Sequence, residues 1–341
     1  RAYLDGRYEV MCTGSLLGVN GYKTKEEEEE VYRLNMVGEL QYDIPRYVLL
    51  GEYVTVEAGG ILAPENPVIK WVAPTVAADT IVGKKVTFRF PADSLGTFVV
   101  SASAHYEGYY TTSASEQVST IDTTFNGYSL KGLKRSGKSI VDKRDNHKYA
   151  YVTIGNLDWF SQNLAYSGAG VPFKRSPMTW DMFGYFYDWN AATGGKAASG
   201  LGCGPQGACP EGWSVPTNED WEDLASAMNG GEFIPFADKW EGLGEKASAK
   251  VIFQDDNMWG YSPDNEHTND FGWNAIPLGY VTNDYKRFEA EGTYGFWWSS
   301  SEKDPQKAYY RYIYSDLSQF PMNFTGKSGF GVNVRCVRLA E

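Results

Sequence analysis

Ten of the eleven tryptophans lie between Trp159 and Trp298, and only Trp71 precedes position 150. Side chains this large contribute most when they are buried, so the later part of the chain must close around an aromatic interior. The earlier part must build its core from smaller residues. Two cores of different chemistry in 341 residues also agree with the usual domain size of roughly 100 to 200 residues.

In the N-terminal part the apolar pattern has period two. Val86, Phe88 and Phe90 alternate with Thr87 and Arg89, and Phe98, Val100, Ala102 and Ala104 alternate with Val99, Ser101 and Ser103. Such alternation is expected of strands with one buried and one wet face. Pro91-Ala92-Asp93-Ser94-Leu95-Gly96 separates the runs with turn-forming residues, which predicts that the two are antiparallel neighbours. Further strands are expected near 30 to 40, 46 to 57, 67 to 73 and 114 to 121, a spacing that favours a sandwich. The run Glu26 to Glu30 reads as a solvated strand entry or loop, because successive strand side chains point to opposite faces and cannot converge on a cation. Residues 123 to 148 are polar, with Gly127, Gly132, Gly137 and the basic cluster Lys131, Lys134, Arg135 and Lys138. The cluster carries the charge to attract an anionic partner but reads first as part of a solvated spacer. The boundaries are therefore set at 1–122, a linker at 123–136, and a second domain at 137–341.

Lys plus Arg number 31 against 43 Asp plus Glu, a formal net charge of -12. Nucleic acids and anionic membranes are thereby excluded as expected partners, since both demand clustered positive charge. No apolar run is long enough to span a bilayer, and Arg1 begins no basic-then-apolar leader. The chain is read as mature or trimmed, with a signal or lipid anchor removed. Cys12 is a poor lipid-bearing cysteine, because Arg1, Asp5, Arg7 and Glu9 occupy the stretch that would form an apolar signal core. The four cysteines, Cys12, Cys203, Cys209 and Cys336, allow three pairings, and none shows the spacing of a zinc or redox site.

His105, His147 and His267 are scattered, and no nucleophile elbow, phosphate loop or paired-histidine motif appears. Enzyme activity is not expected. A carboxylate-based polysaccharide hydrolase is the one enzymatic alternative, because aspartates and glutamates are plentiful.

One helix is strongly signalled. Thr217 stands as N-cap with Asp220 three residues on, an apolar face follows at Trp221, Leu224, Ala225 and Met228, and Asn229-Gly230-Gly231 ends it. A shorter helix is expected over Asp188 to Ala192. The segment from Asp255 to Asp270 gathers hard oxygen ligands and aromatic rings. Asp255, Asp256, Asp264, Glu266 and Asp270 are the candidate calcium ligands, and Trp259, Tyr261, Asn274 and Tyr285 the candidate ligand-binding set. A solvated Asx-rich loop is the competing reading. Trp297 and Trp298 must point to opposite faces of a strand, whereas Tyr310, Tyr312 and Tyr314 share one face, as an aromatic platform or as core.

Two stretches resemble known families. Trp71 on one strand, followed by Gly96-Thr97-Phe98 and a Val/Ser/Ala-rich strand, resembles PKD and other bacterial immunoglobulin-like repeats over residues 29 to 122. Cys209-Pro210-Glu211-Gly212-Trp213-Ser214-Val215-Pro216-Thr217, followed by Glu219, Asp220 and Trp221, closely resembles the signature of the Fibrobacter succinogenes major paralogous domain. Ile154 to Trp159 with Gln162-Asn163-Leu164, Gly295 to Glu302, and Gly329 to Arg338 agree with it in the same order, so the resemblance covers residues 137 to 340.

That resemblance implies a C-type-lectin-like fold with paired first and last strands, and export as a surface protein of Bacteroidetes type. It also implies a disulfide from Cys209 to Cys336, whose long loop would contribute about 4 to 5 kcal/mol. Cys203 departs from the pattern and offers a rival pairing with Cys209. The fold expected is thus an all-β immunoglobulin-like sandwich followed by an α+β C-type-lectin-like domain. The function expected is recognition or adhesion at the cell surface or outside the cell, by a chain that is monomeric in isolation and binds a glycan or a surface protein. No cofactor other than calcium is implied. A subunit of a surface appendage is the structural alternative.

Overall fold

The computed structural model describes residues 33–74, 76–77, 79–122, 130–134, 136–233, 239–253, 256–282 and 285–341. The run Glu26 to Glu30, Cys12, Arg135 and Asp255 lie outside the described residues. The chain is β-rich and divides into two compact units, Arg1–Thr120 and Ile121–Glu341.

In the first unit the alternating runs are strands whose burial follows the pattern: Tyr53–Glu57, Val68–Val72 and Lys85–Arg89 each bury every second residue. Five strands form one sheet in the order Tyr47–Leu49, Thr112–Ile121, Gly96–His105, Val68–Val72, Ile81–Val82. Lys85–Arg89 pairs instead with Tyr53–Glu57. This corrects the expected pairing of the 86–90 and 98–104 runs. Alternation fixes which face of a strand is buried but not which strand lies beside it. Here residues 91–95 carry the chain from one sheet to another, and Phe88, Phe90, Val100 and Ala102 meet across a shared core. Trp71, fully buried, sits at its centre, donating its indole N–H to Gly83 O at 2.8 Å and meeting Tyr42 edge-on at 4.9 Å.

The second unit is held by a sheet in the order Ser139–Val141, Lys148–Ile154, Leu157–Phe160, Val337–Leu339. The last strand returns to the opening hairpin, with Leu157 opposite Leu339 and Trp159 opposite Val337. Phe160 N donates to Cys336 O at 3.0 Å and Leu164 N to Val334 O at 2.9 Å. Gly155 makes the hairpin turn at φ +66, where a Cβ would lie 2.3 Å from the Asp223 carboxylate. Any other residue would be strained at that φ and would have to displace the carboxylate.

The helix Asn218–Met228 forms as its caps predict. Asp220 N donates to Thr217 Oγ1 at 3.2 Å and Thr217 N to Asp220 Oδ2 at 2.8 Å, and Trp221, Leu224, Ala225 and Met228 are buried. The short helix runs Trp189–Thr193, with Asp188 accepting from Ala191 N. The strand Tyr294–Asp304 separates two aromatic interiors. Trp297 packs with Trp159, Trp221, Trp240, Trp259 and Trp273, and Trp298 with Trp189, Trp213 and the Cys209–Cys336 disulfide. Both faces of this strand are therefore core.

The disulfide joins Cys209 to Cys336, and the rival pairing of Cys203 with Cys209 does not form; Cys203 is exposed and free. Residues 130–134, expected in a solvated spacer, pack on the second unit. Leu130 is buried, Lys131 exchanges backbone hydrogen bonds with Ile252, and Lys134 N donates to Asn274 Oδ1 at 2.8 Å.

Candidate functional site

The loops after Asp256 are built from side chains that bond to the protein itself. Trp259 is 1% exposed, stacks on His267 at 4.5 Å, and donates its indole N–H to Ala249 O. Its ring faces are covered, which corrects the expectation that it stacks on a ligand. His267 Nδ1 meets Ser248 Oγ at 2.8 Å, while its backbone N–H is capped by Asn265 Oδ1. Burial, with Lys250 nearby, pulls the imidazole down to about 4, so it is neutral at physiological pH.

Asn274 is also corrected from ligand-binding to structural. Its Oδ1 accepts from Lys134 N and Asn269 Nδ2, and its Nδ2 donates to Lys134 O and Ser161 O. All four side-chain hydrogen-bonding positions are used. Its carbonyl accepts from Arg335 Nη2 at 2.8 Å. Arg335, 1% exposed, also donates to Asn163 Oδ1, Phe160 O and Trp273 O. Burial lowers its pKa to about 9, which leaves it charged at neutral pH. Carbonyl dipoles and the face of Trp273, 4.5 Å away, surround the cation.

No group of three or more His, Cys, Asp or Glu side chains placed to hold a metal exists among the described residues. Asp256, Asp264, Glu266 and Asp270 are exposed and are not brought together, which corrects the calcium reading for them. In Asx-rich loops short side chains cap local backbone instead, as Asn265 and Asn269 do. Tyr285 is half-buried and donates its hydroxyl to Asp188 Oδ2 at 2.8 Å. Tyr261, 81% exposed, is the one member of the expected aromatic set that faces solvent.

A different surface gathers aromatic rings. Tyr294, Phe296 and Trp298 stand opposite Tyr314, Tyr312 and Tyr310 on one face of the paired strands Tyr294–Asp304 and Lys307–Tyr314. Phe330 and Tyr280 extend the row, with ring centroids 5.4 Å (Tyr310–Phe330) and 5.0 Å (Tyr280–Phe330) apart. Phe296 and Trp298 are buried and form the floor, while Tyr280, Tyr294, Tyr310, Tyr312, Tyr314 and Phe330 are half-buried. Burial, then Tyr312 and Tyr294, push the Tyr310 phenol up to about 12, and burial with Tyr294 raises Tyr312. Both stay neutral and able to donate and accept hydrogen bonds. Period-two alternation in the sequence marks the shared face of Tyr310, Tyr312 and Tyr314; Tyr280 and Phe330 join it through a separate three-stranded sheet, which no local pattern signals.

A family model described as the Fibrobacter succinogenes major domain matches residues 152–338, more than half of the chain. No curated protein matches the chain.

Proposed function

The chain belongs to the Fibrobacter succinogenes major domain family, and from that premise we propose that it is an exported recognition or adhesion protein whose second unit presents its tyrosine face to a glycan. The observation that carries this reading is the continuous half-buried row Tyr280, Phe330, Tyr310, Tyr312, Tyr294 and Tyr314 over a floor of Phe296 and Trp298. Aromatic rings that keep a hydroxyl near solvent offer an apolar surface to the C–H face of a sugar and hydrogen bonds to its rim. The residues of the row include no carboxylate, which gives no support to a hydrolase.

Export is supported by the Cys209–Cys336 disulfide, since such bonds persist in oxidising compartments. In this reading the first unit is an immunoglobulin-like or PKD-like spacer, supported by its sheets sharing one core around Trp71. The second is C-type-lectin-like, supported by the return of its last strand to the opening hairpin. An appendage subunit assembled by strand addition has less support, because the described five-stranded sheet ends in strands of only three and two residues, and short edges are poor templates.

A glycan array with the whole chain, followed by titration of any hit, tests the proposal. Tyr312→Ala and Tyr314→Ala should each weaken the hit about tenfold, roughly 1.4 kcal/mol, in variants that remain folded at the assay temperature, while Tyr261→Ala should not weaken it. An array with no hit, or a hit indifferent to both tyrosines, would count against a glycan role for this face.

A further inference from the structure

Of the ten tryptophans from Trp159 onward, nine are at most 4% exposed. The tenth, Trp180, is half-buried and lines a cleft of about 290 Å³ with Lys134, Ser136, Ser139, Lys148, Gln162 and Asp181 among its walls. The cleft lies wholly within the second unit and shares no residue with the tyrosine face.

Gln162, Trp180 and the backbone of Lys134 are held in place before any ligand arrives. Gln162 Oε1 accepts from Ala150 N at 3.1 Å and its Nε2 donates to Asp181 Oδ1 at 3.2 Å. The amide is thereby oriented, with one N–H left over. Trp180 is held by His147, stacked 3.9 Å from it and nearly parallel. The backbone of Lys134 is clamped at both N–H and carbonyl by Asn274, and its Nζ donates to Thr268 O at 3.3 Å. Lys148 projects from the strand Lys148–Ile154 and is exposed. Two lysines and one aspartate thus line this cleft, in a chain whose net charge is -12.

We propose that this cleft binds a sugar acid, a single polyhydroxylated ring bearing a carboxylate. The volume sits at the lower end of ligand pockets, roughly 300 to 1,000 Å³, which admits one ring rather than a chain of them. Trp180 supplies the apolar wall, and Asp181, Gln162 and the two serines accept from and donate to ring hydroxyls. Lys148 and Lys134 receive the carboxylate. A neutral sugar would leave the lysines unmatched, and a simple dicarboxylate would leave the indole and hydroxyls unused while facing Asp181.

The test is titration of the whole chain with D-glucuronate, D-glucose and glutarate, followed by NMR or calorimetry. Glucuronate is expected to bind at a Kd of about 1 mM, with glucose and glutarate each at least about tenfold weaker. Added salt should weaken glucuronate alone among the two sugars. Lys148→Gln, a surface change that leaves the fold intact, should weaken glucuronate about tenfold and leave glucose unchanged. Trp180→Ala should weaken both sugars. Equal binding of glucose, equal binding of glutarate, an unchanged glucuronate affinity in Lys148→Gln, or no glucuronate binding up to about ten times the expected Kd would each overturn the proposal.

Discussion

Arg335 and Asn163, 172 positions apart in sequence, meet in the interior of the second unit, Nε to Oδ1 at 2.8 Å. The same oxygen accepts the Trp297 indole at 3.0 Å, so one amide carbonyl links the segment leading into the last strand, the segment after the opening hairpin and the strand Tyr294–Asp304. Arg335→Ala would remove the donor from Phe160 O, Trp273 O and Asn274 O, leave Asn163 Oδ1 with only the Trp297 indole, and open a cavity. The expected loss is more than about 3 kcal/mol of unfolding free energy. Arg335→Lys should lose nearly as much, because one ammonium cannot reach acceptors spread around a planar guanidinium. Urea unfolding of the variants is the measurement.

Asn274 should behave as a structural residue. It adopts φ +57, a conformation costing other side chains about 1 kcal/mol, and its amide holds Lys134, Ser161 and Asn269 in place. Asn274→Ala is expected to destabilise the chain by about 3 kcal/mol. Hydrogen exchange at Lys134 N should rise in the variant, since its acceptor is gone.

His267 sets an acid limit. Its unfolded pKa is the ordinary 6.5 and its folded value is about 4, so between them the unfolded chain binds the extra proton. Stability from this group is full above pH 6.5, falls as pH drops toward 4, and levels off below. The span corresponds to about 3 kcal/mol at most. His267→Asn, which suits the left-handed backbone at φ +51, should show a flatter Tm profile in that window than the parent chain. Parallel profiles would remove His267 as the cause.

Loss of the disulfide should be costly and loss of Cys203 should not. The bond closes a loop of 127 positions, worth about 5 kcal/mol on a chain-entropy basis. Cys209→Ser with Cys336→Ser should lower the urea midpoint markedly, whereas Cys203→Ser, at an exposed thiol, should leave it unchanged.

Elements whose signals are local were legible in sequence. The Thr217–Asp220 cap, the Trp221–Met228 face and the alternation of residues 86–90 and 98–104 all depend on near neighbours. Partnership between strands was harder to read: residues 86–90 and 98–104 have equivalent patterns, and only tertiary packing assigns them to different sheets. The loop after Asp256 misled for a related reason. Asn and Asp read alike as cation ligands or as caps, and Trp259 reads alike as platform or core, until burial decides. The cleft at Trp180 joins residues from 133 to 274, beyond the reach of any periodicity.

The covalent ring closed by Cys209 and Cys336 has a mechanical side. Tension on the two ends of the second unit reaches Cys336 and crosses directly to Cys209. Roughly 440 Å of contour, the 127-residue span, thus stays off the load path. The helix Asn218–Met228, the tyrosine face and Arg335 all lie inside that shielded span, whereas Lys134, Lys148, Gln162, Trp180 and Asp181 lie outside it. Under shear at a surface, the face would outlast the cleft.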